Sequence, residues 1–90
     1  MPPEATAAAR EAAELTVVDA LAQLLDADED ALGPGTALAA IEDWDSVNAL
    51  RVLVHLERTL GAPLDYERFA AAETVGDIAA VVAAVSGAAP

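Results

Sequence analysis

The chain has 90 residues, enough for one small domain whose core needs no metal ion or disulfide bond to fold. It contains no cysteine, which excludes disulfides, thiolate metal sites and a thiol nucleophile. Sixteen acidic side chains face four arginines, for a formal net charge of −12, so we expect neither nucleic acid nor a membrane as a partner, and basic protein surfaces instead.

Helical spacing of apolar residues begins after a short N-terminal segment. Residues 1–10 are mostly small and rich in proline near the start, so we expect them to fray and assign one domain to residues 11–87. Large apolar residues then recur three and four positions apart, at Val17, Val18, Leu21, Leu24 and Leu25. This spacing predicts a first helix that begins between Ala8 and Thr16 and ends near Asp26.

A long loop separates the first helix from the second. Gly33-Pro34-Gly35 cannot lie inside a helix. A loop of this length in a small domain is usually functional or pinned by its own apolar contacts. We expect Thr36 to cap a short turn here, and we expect three apolar residues to anchor the loop in the core: Leu32, Leu38 and Ile41.

The second helix is predicted from Asp45 or Ser46 to Leu60, with Gly61 as its C-terminal stop. Its broad apolar face comprises Val47, Leu50, Leu53, Val54, Leu56 and Leu60. Asp45 is the expected N-cap, which places the Ser46 hydroxyl at the positive end of the helix dipole. Such a place favours a phosphate diester, although a serine at a helix start is far more often a cap than a modification site.

Two further helices complete the predicted fold. Residues 66–71 are predicted to form a short third helix, and Thr74 with Asp77 is typical of a capping arrangement at the start of a fourth. Valine and isoleucine dominate the fourth helix, so packing stabilises it more than helix propensity does. The sequence therefore predicts an all-α, small four-helix bundle with three main helices, one short helix and a long first loop.

Signals for export, membrane insertion, metal binding and catalysis are weak. The start Met1–Glu4 lacks the features of a secretory signal, and no apolar run approaches the roughly 18 residues of a membrane span, so we expect a cytoplasmic protein. We also expect a monomer. Residues 26–30 imitate a calcium loop but lack its later ligand. His55 lies about 13 Å from Ser46 along the helix, too far for a catalytic pair, and we expect it to pack near the third helix.

The segment Ile41-Glu-Asp-Trp-Asp-Ser-Val-Asn-Ala-Leu50 resembles the phosphopantetheine-attachment motif of acyl and peptidyl carrier proteins, in which Asp-Ser-Leu opens the second helix. The resemblance covers Thr16 to Val85, with the helices in the same order. It implies that Ser46 carries 4′-phosphopantetheine, donated from coenzyme A by a phosphopantetheinyl transferase, and that Asp45 helps to present it. Such a chain is no enzyme: it holds acyl or aminoacyl cargo as a thioester for loading, condensing or modifying enzymes.

The same resemblance implies a surface around Ser46 that contacts partner enzymes. Its expected members are Glu42, Asp43, Trp44, Val47, Arg51, Val54 and Glu57. Val54 and Glu57 match exposed positions of the second helix, whereas the leucines match core positions: Leu50, Leu53, Leu56 and Leu60. We expect Phe69, on the third helix, to fill part of an apolar shelter for the cargo.

The motif departs from the usual family pattern at several positions. Asp43 stands where the family usually has glycine, and Val47 replaces leucine or methionine. Trp44 before Asp-Ser occurs among free-standing carriers. Arg51 and Arg58 replace side chains that are commonly acidic in fatty-acid carriers, which favours polyketide, nonribosomal-peptide or other specialised biosynthesis, such as that of antibiotics. The alternative is an unmodified acidic helical module that binds other proteins or mimics nucleic acid.

Overall fold

The computed structural model describes residues 7–86, which form four α-helices: α1 (Ala7–Leu25), α2 (Ser46–Leu60), α3 (Tyr66–Ala71) and α4 (Val75–Ser86). This part of the chain contains no β-strand, and three of its helices are long, so the predicted all-α bundle is confirmed. None of these helices is long and apolar enough to cross a membrane.

Helix α1 begins earlier than the sequence suggests. Its first residue is Ala7, one position before the predicted range and inside the segment that we expected to fray. Residues 1–6 and 87–90, which include most of that segment and the predicted end of the domain, lie outside the described residues. The other end agrees with expectation, because α1 stops at Leu25 and is followed by Asp26 in the left-handed conformation, with φ of 57°.

The core lies where α1 packs against α4 and α2. Its largest fully buried side chains come from these three helices: Val17, Leu21, Val52, Leu56, Val75, Ile78 and Val82. Burial of a side chain of this size stabilises the fold by roughly 1.5–3 kcal/mol. The apolar residues predicted for α1 all contribute to this core: Val17, Leu21 and Leu25 are buried, and Val18 and Leu24 are partly buried against it.

Helix α2 buries a narrower face than the sequence predicts. Val52, Leu53 and Leu56 are buried and Leu60 is half-buried, but Leu50 is 47 % exposed. Its assignment to the core was therefore wrong. Leu50 is rotated by about 120° around the helix from Leu56, beyond the strip that the neighbouring helices cover.

The long loop is anchored as predicted but contains unpredicted structure. Leu32, Leu38 and Ile41 are all buried. Two single-turn 3₁₀ helices, at Glu29–Ala31 and Leu38–Ala40, bring these anchors to the core.

Thr36 ties one bend of the loop together. Its hydroxyl accepts a hydrogen bond from the Gly33 N–H at 2.9 Å and donates one to the Ala31 carbonyl at 3.2 Å. The prediction that Thr36 caps a short turn is confirmed.

The loop also binds the start of α4 through its backbone. Three hydrogen bonds join the two segments, from Leu38 N–H to Glu73 C=O at 2.9 Å, from Val75 N–H to Thr36 C=O at 3.0 Å and from Gly76 N–H to Pro34 C=O at 2.8 Å. A Cβ atom on Gly76 would lie 2.8 Å from the Pro34 carbonyl oxygen, closer than such contacts allow. Only glycine permits this approach of loop and helix.

Thr74 and Asp77 cap α4 as predicted. The Asp77 N–H donates to Thr74 Oγ1 at 3.1 Å, and Asp77 Oδ2 accepts from the backbone N–H groups of Glu73 at 3.0 Å and Thr74 at 3.2 Å. The hydrogen bond from Glu73, followed by that from Thr74, holds the pKa of the Asp77 carboxyl below its usual value of 3.8, because both N–H groups stabilise the charged form.

The connection between α2 and α3 is short and fixed by hydrogen bonds. Gly61 ends α2 in the left-handed conformation that glycine adopts easily, with φ of 69°. The Glu57 carboxylate accepts a hydrogen bond from the Leu64 N–H at 2.8 Å, and Asp65 caps α3 through the Arg68 N–H. The predicted bounds of α3, residues 66–71, are those of the structure.

Candidate functional site

The first turn of α2 leaves the Ser46 side chain available for chemistry. Asp45 is the N-cap, with an extended backbone, and its Oδ1 accepts a hydrogen bond from the Asn48 N–H at 2.8 Å. Ser46 is therefore the first helical residue and is not needed as a cap. Its side chain is exposed, and within residues 7–86 its hydroxyl has no hydrogen-bond partner.

The loop that leads into Ser46 is held by Asn48. Asp43 has φ of 71°, in the left-handed region that Asp tolerates better than most residues but glycine adopts without strain. Asn48 Nδ2 donates to the Asp43 carbonyl at 2.8 Å, and Asn48 Oδ1 accepts from Arg51 Nη1 at 2.9 Å. Asn48 thus joins the strained residue of the loop to the second turn of the helix.

A cavity of about 290 Å³ opens beside Ser46, between the start of α2 and α3. Aromatic and small side chains predominate among its lining residues: Trp44, Asp45, Ser46, Ala49, Leu50, Tyr66, Phe69, Ala70 and Ala72. Phe69 is only 4 % exposed and Tyr66 is 57 % exposed, so the cavity is open to solvent on the Tyr66 side. A slender, mainly apolar group attached at Ser46 could enter it.

Comparison with known protein families identifies this segment. The model of the family described as the phosphopantetheine attachment site matches residues 16–82, most of the chain. The chain belongs to this family. Phosphopantetheine-attachment domains bear a covalently attached 4′-phosphopantetheine group and generally serve as non-catalytic carriers. No curated protein matches the chain.

The residues present fit this prosthetic group. The phosphopantetheine-attachment domain needs a nucleophilic hydroxyl that a separate enzyme can reach, and Ser46 is exposed on the outer side of the α2 terminus. The unpaired N–H groups and dipole of a helix N-terminus favour an anion there by roughly 0.3–1 kcal/mol. Within residues 7–86, no group of three His, Asp or Glu side chains is placed to hold a metal ion.

The predicted partner surface is mostly exposed. Glu42 and Asp43 project from the loop, and Val47 and Val54 are 67 % and 48 % exposed on α2. Arg51 is exposed as well, one turn after Val47. Their contacts with partner enzymes stay predictions.

Two predicted partner residues differ from this exposed group. Trp44 is half-buried, packs against the core and lines the cavity beside Ser46. Glu57 is also half-buried, with its carboxylate bonded to the Leu64 N–H, so the expectation of an exposed Glu57 was wrong. Partner contact at either residue stays a prediction.

The structure places His55 on a different side of α2 from the one expected. It lies with Leu24 of α1 in a surface groove, rather than near α3. Residues on the α3 side of α2 include Ala49 and Leu50, which share the cavity with Phe69. His55 therefore does not line the Ser46 cavity.

Sequence reasoning missed Asn48 and the conformation of Asp43. A signal for the second existed, because Asp43 occupies a position where the family usually has glycine, and a glycine position often requires a positive φ. No comparable signal marked Asn48. Its role depends on the distance between its amide and a carbonyl five residues earlier.

Proposed function

We propose that Ser46 is the residue that accepts 4′-phosphopantetheine and that the chain holds acyl or aminoacyl cargo on this arm. The observation that carries the proposal is the Ser46 hydroxyl itself. It is exposed at the first residue of α2 and makes no hydrogen bond to any residue between 7 and 86, because Asp45 supplies the cap. In the transfer, Ser46 Oγ forms a bond to the phosphorus of coenzyme A that carries the pantetheine, and the P–O bond within the pyrophosphate breaks. Adenosine 3′,5′-bisphosphate leaves, and the serine proton passes to a base of the transferase or to water.

The chain contributes position rather than catalysis. Asp45 holds the first turn of α2, and Asn48 braces the preceding loop, so Ser46 is presented in one orientation. The terminal thiol of the arm supplies the thioester that carries the cargo. The apolar cavity beside Ser46 shelters the arm, and Phe69 closes its inner end.

We further propose that the arm stays largely outside the core because Phe69 occupies the space that a long acyl chain would need. Acylation of the arm is then expected to change backbone amide chemical shifts only around Ser46 and the residues that line the cavity. Changes at fully buried residues such as Leu21 and Val82 would show that the chain enters the core instead.

The proposed setting is a specialised biosynthetic pathway. Arg51 and Arg58 are exposed on α2, where the acidic side chains common in fatty-acid carriers are absent, which supports polyketide, nonribosomal-peptide or related biosynthesis. The partners are a phosphopantetheinyl transferase and the enzymes that load, condense or modify the cargo. We propose that the chain acts in the cytoplasm as a non-catalytic monomer with one carrier domain.

Intact mass spectrometry tests the attachment. The apo protein is incubated with coenzyme A and a phosphopantetheinyl transferase of broad specificity, and the expected product is heavier by one phosphopantetheine. Ser46→Ala should show no increment, and Ser86→Ala, which changes the other serine of the chain, should be modified as fully as the parent. Absence of an increment, while a known carrier is modified in the same mixture, would favour the unmodified interaction module.

A further inference from the structure

A second groove runs along the outer face of α2, beside Leu24 of α1, with a volume of about 510 Å³. Its apolar side is formed by Val47, Leu50 and Val54, which are 67 %, 47 % and 48 % exposed. Their spacing of three and four residues places them in one row on the helix. Contiguous exposed apolar side chains, rimmed by polar ones, are a common feature of surfaces that bind other proteins.

The other side of this groove is basic. Arg51, His55 and Arg58 recur at intervals of four and three residues, so they form a second row directly beside the apolar one. Among residues 7–86, no carboxylate lines the groove, although the chain has sixteen acidic residues. Two of the four arginines and the one histidine of the chain are therefore collected here.

Both guanidinium groups are available to an incoming ligand. Arg51 donates one hydrogen bond to the neutral amide oxygen of Asn48, and it keeps its other donors. Arg58 is exposed, and neither arginine forms an ion pair within residues 7–86. Such arginines can bind carboxylates in pairs of parallel hydrogen bonds.

We propose that the α2 groove, formed by these two rows, binds an amphipathic helix of a partner protein whose apolar stripe is flanked by Asp or Glu. The apolar stripe would cover Val54 and its neighbours, and the carboxylates would pair with Arg51 and Arg58. The net charge of −12 opposes such a partner at long range. Contacts inside the groove are shorter than the Debye length of about 8 Å at physiological salt. The sign of the nearby charges, rather than the net charge, therefore determines which partner binds there.

This inference deepens the proposed carrier function, because a helix in the α2 groove lies next to Val47 and hence next to Ser46. Its biological meaning rests on that function, but the binding itself does not require the arm. The arginines of the groove would also repel the basic partners that the rest of the surface attracts. The groove on α2 thus selects partners that present an acidic amphipathic helix.

The test uses two synthetic helical peptides with a fluorescent label. One carries glutamates beside a leucine stripe, and its twin carries lysine at every glutamate position. We expect fluorescence anisotropy to give the glutamate peptide a Kd at least about tenfold lower, which corresponds to about 1.4 kcal/mol. Titration with this peptide should shift the backbone amide signals of residues 47–58.

Matched charge reversals identify the arginines responsible. R51E/R58E should raise the Kd of the glutamate peptide by about tenfold or more. The control R10E/R68E changes the net charge equally, at two exposed arginines outside the groove, and should change this Kd by less than about twofold. The milder R51Q/R58Q should lie between the two. Retained helical circular dichroism in each variant shows that folding is not the cause.

Several results would overturn the proposal. They are equal or tighter binding of the lysine twin, equal effects of the two charge reversals, and the absence of shifts at residues 47–58 with the glutamate peptide. The same titration on Ser46→Ala separates this inference from the proposed function. Peptide binding without phosphopantetheine transfer would contradict the attachment alone, and transfer without peptide binding would contradict the groove alone.

Discussion

Replacement of Gly76 by alanine tests the contact between the long loop and α4. In an ordinary helix this change is stabilising, by up to about 1 kcal/mol, because alanine has the higher helix propensity. Here the new Cβ would lie 2.8 Å from the Pro34 carbonyl oxygen. Because that oxygen belongs to the backbone, no side-chain rotation relieves the clash, and the loop must move.

The hydrogen bonds at this contact set the size of the effect. Movement of the loop breaks the bond from Gly76 N–H to Pro34 C=O and strains the neighbouring one from Val75 N–H to Thr36 C=O. Two such bonds contribute about 1–3 kcal/mol in total. After a propensity gain of about 1 kcal/mol is subtracted, we expect Gly76→Ala to lower the free energy of unfolding by up to about 2 kcal/mol, and Tm by up to about 16 °C.

Thermal and urea unfolding followed by circular dichroism measure this loss. Gly35→Ala is the matched control, because a Cβ on Gly35 meets nothing within 4 Å and its φ is not in the left-handed region. We expect the control to be unchanged or more stable by about 0.4–1 kcal/mol. Equal or greater stability of Gly76→Ala than of the parent would refute the reasoning, and so would an equal loss in both variants.

Three further predictions concern capping and loop conformation. Asp45→Ala should lower the free energy of unfolding by about 1 kcal/mol, and Asp45→Asn by much less because asparagine is an equally good N-cap; equal losses would contradict the capping role. Asp43→Gly should be more stable than Asp43→Ala by about 1 kcal/mol in urea unfolding, the reverse of the order expected at an ordinary φ. The pKa of Asp77 is lowered by folding, so its stabilisation is full above the unfolded value and is lost as the pH falls through the lower folded value. The stability difference between the parent and Asp77→Ala should therefore be constant near neutral pH and shrink below 3.8, and a constant difference in urea midpoints throughout would contradict this.

Most helix ends could be predicted from the sequence because their signals are local. Asp45 before Ser46 and Gly61 after Leu60 define α2 without reference to the rest of the fold. The same holds for Asp77, whose carboxylate bonds to groups three and four residues away. Capping depends on short-range geometry, which a sequence pattern carries almost completely.

Burial on α2 could not be predicted in the same way. A broad apolar face shows that a helix packs against something, but not how wide a strip its neighbours cover. Leu50 therefore was assigned to the core with Leu53 and Leu56, although it is exposed. Val52, which is fully buried, was not part of the predicted apolar face because it lies at the opposite edge of the strip.

Ser46, the proposed attachment residue, was the easiest part of the site to identify, and its support was the hardest. Ser46 stands in a motif, so the resemblance to a family points to it directly. The support comes from the side-chain hydrogen bonds of Asn48, which link the Asp43 carbonyl of the loop to Arg51 of the helix. Those bonds depend on the path of the chain, which single-residue preferences do not determine.

The position of Ser46 at the first turn of α2 also limits how a bound group can move. Helix α2 is held by fully buried Val52 and Leu56, so its first turn is fixed relative to the core. If the arm is attached at Ser46, only the Cα–Cβ and Cβ–Oγ bonds of the serine separate its phosphate from this fixed frame. For an enzyme that binds α2, the position of the phosphate is therefore limited to the few places that the serine rotamers allow. Successive enzymes can then place their active sites at different distances from one shared origin.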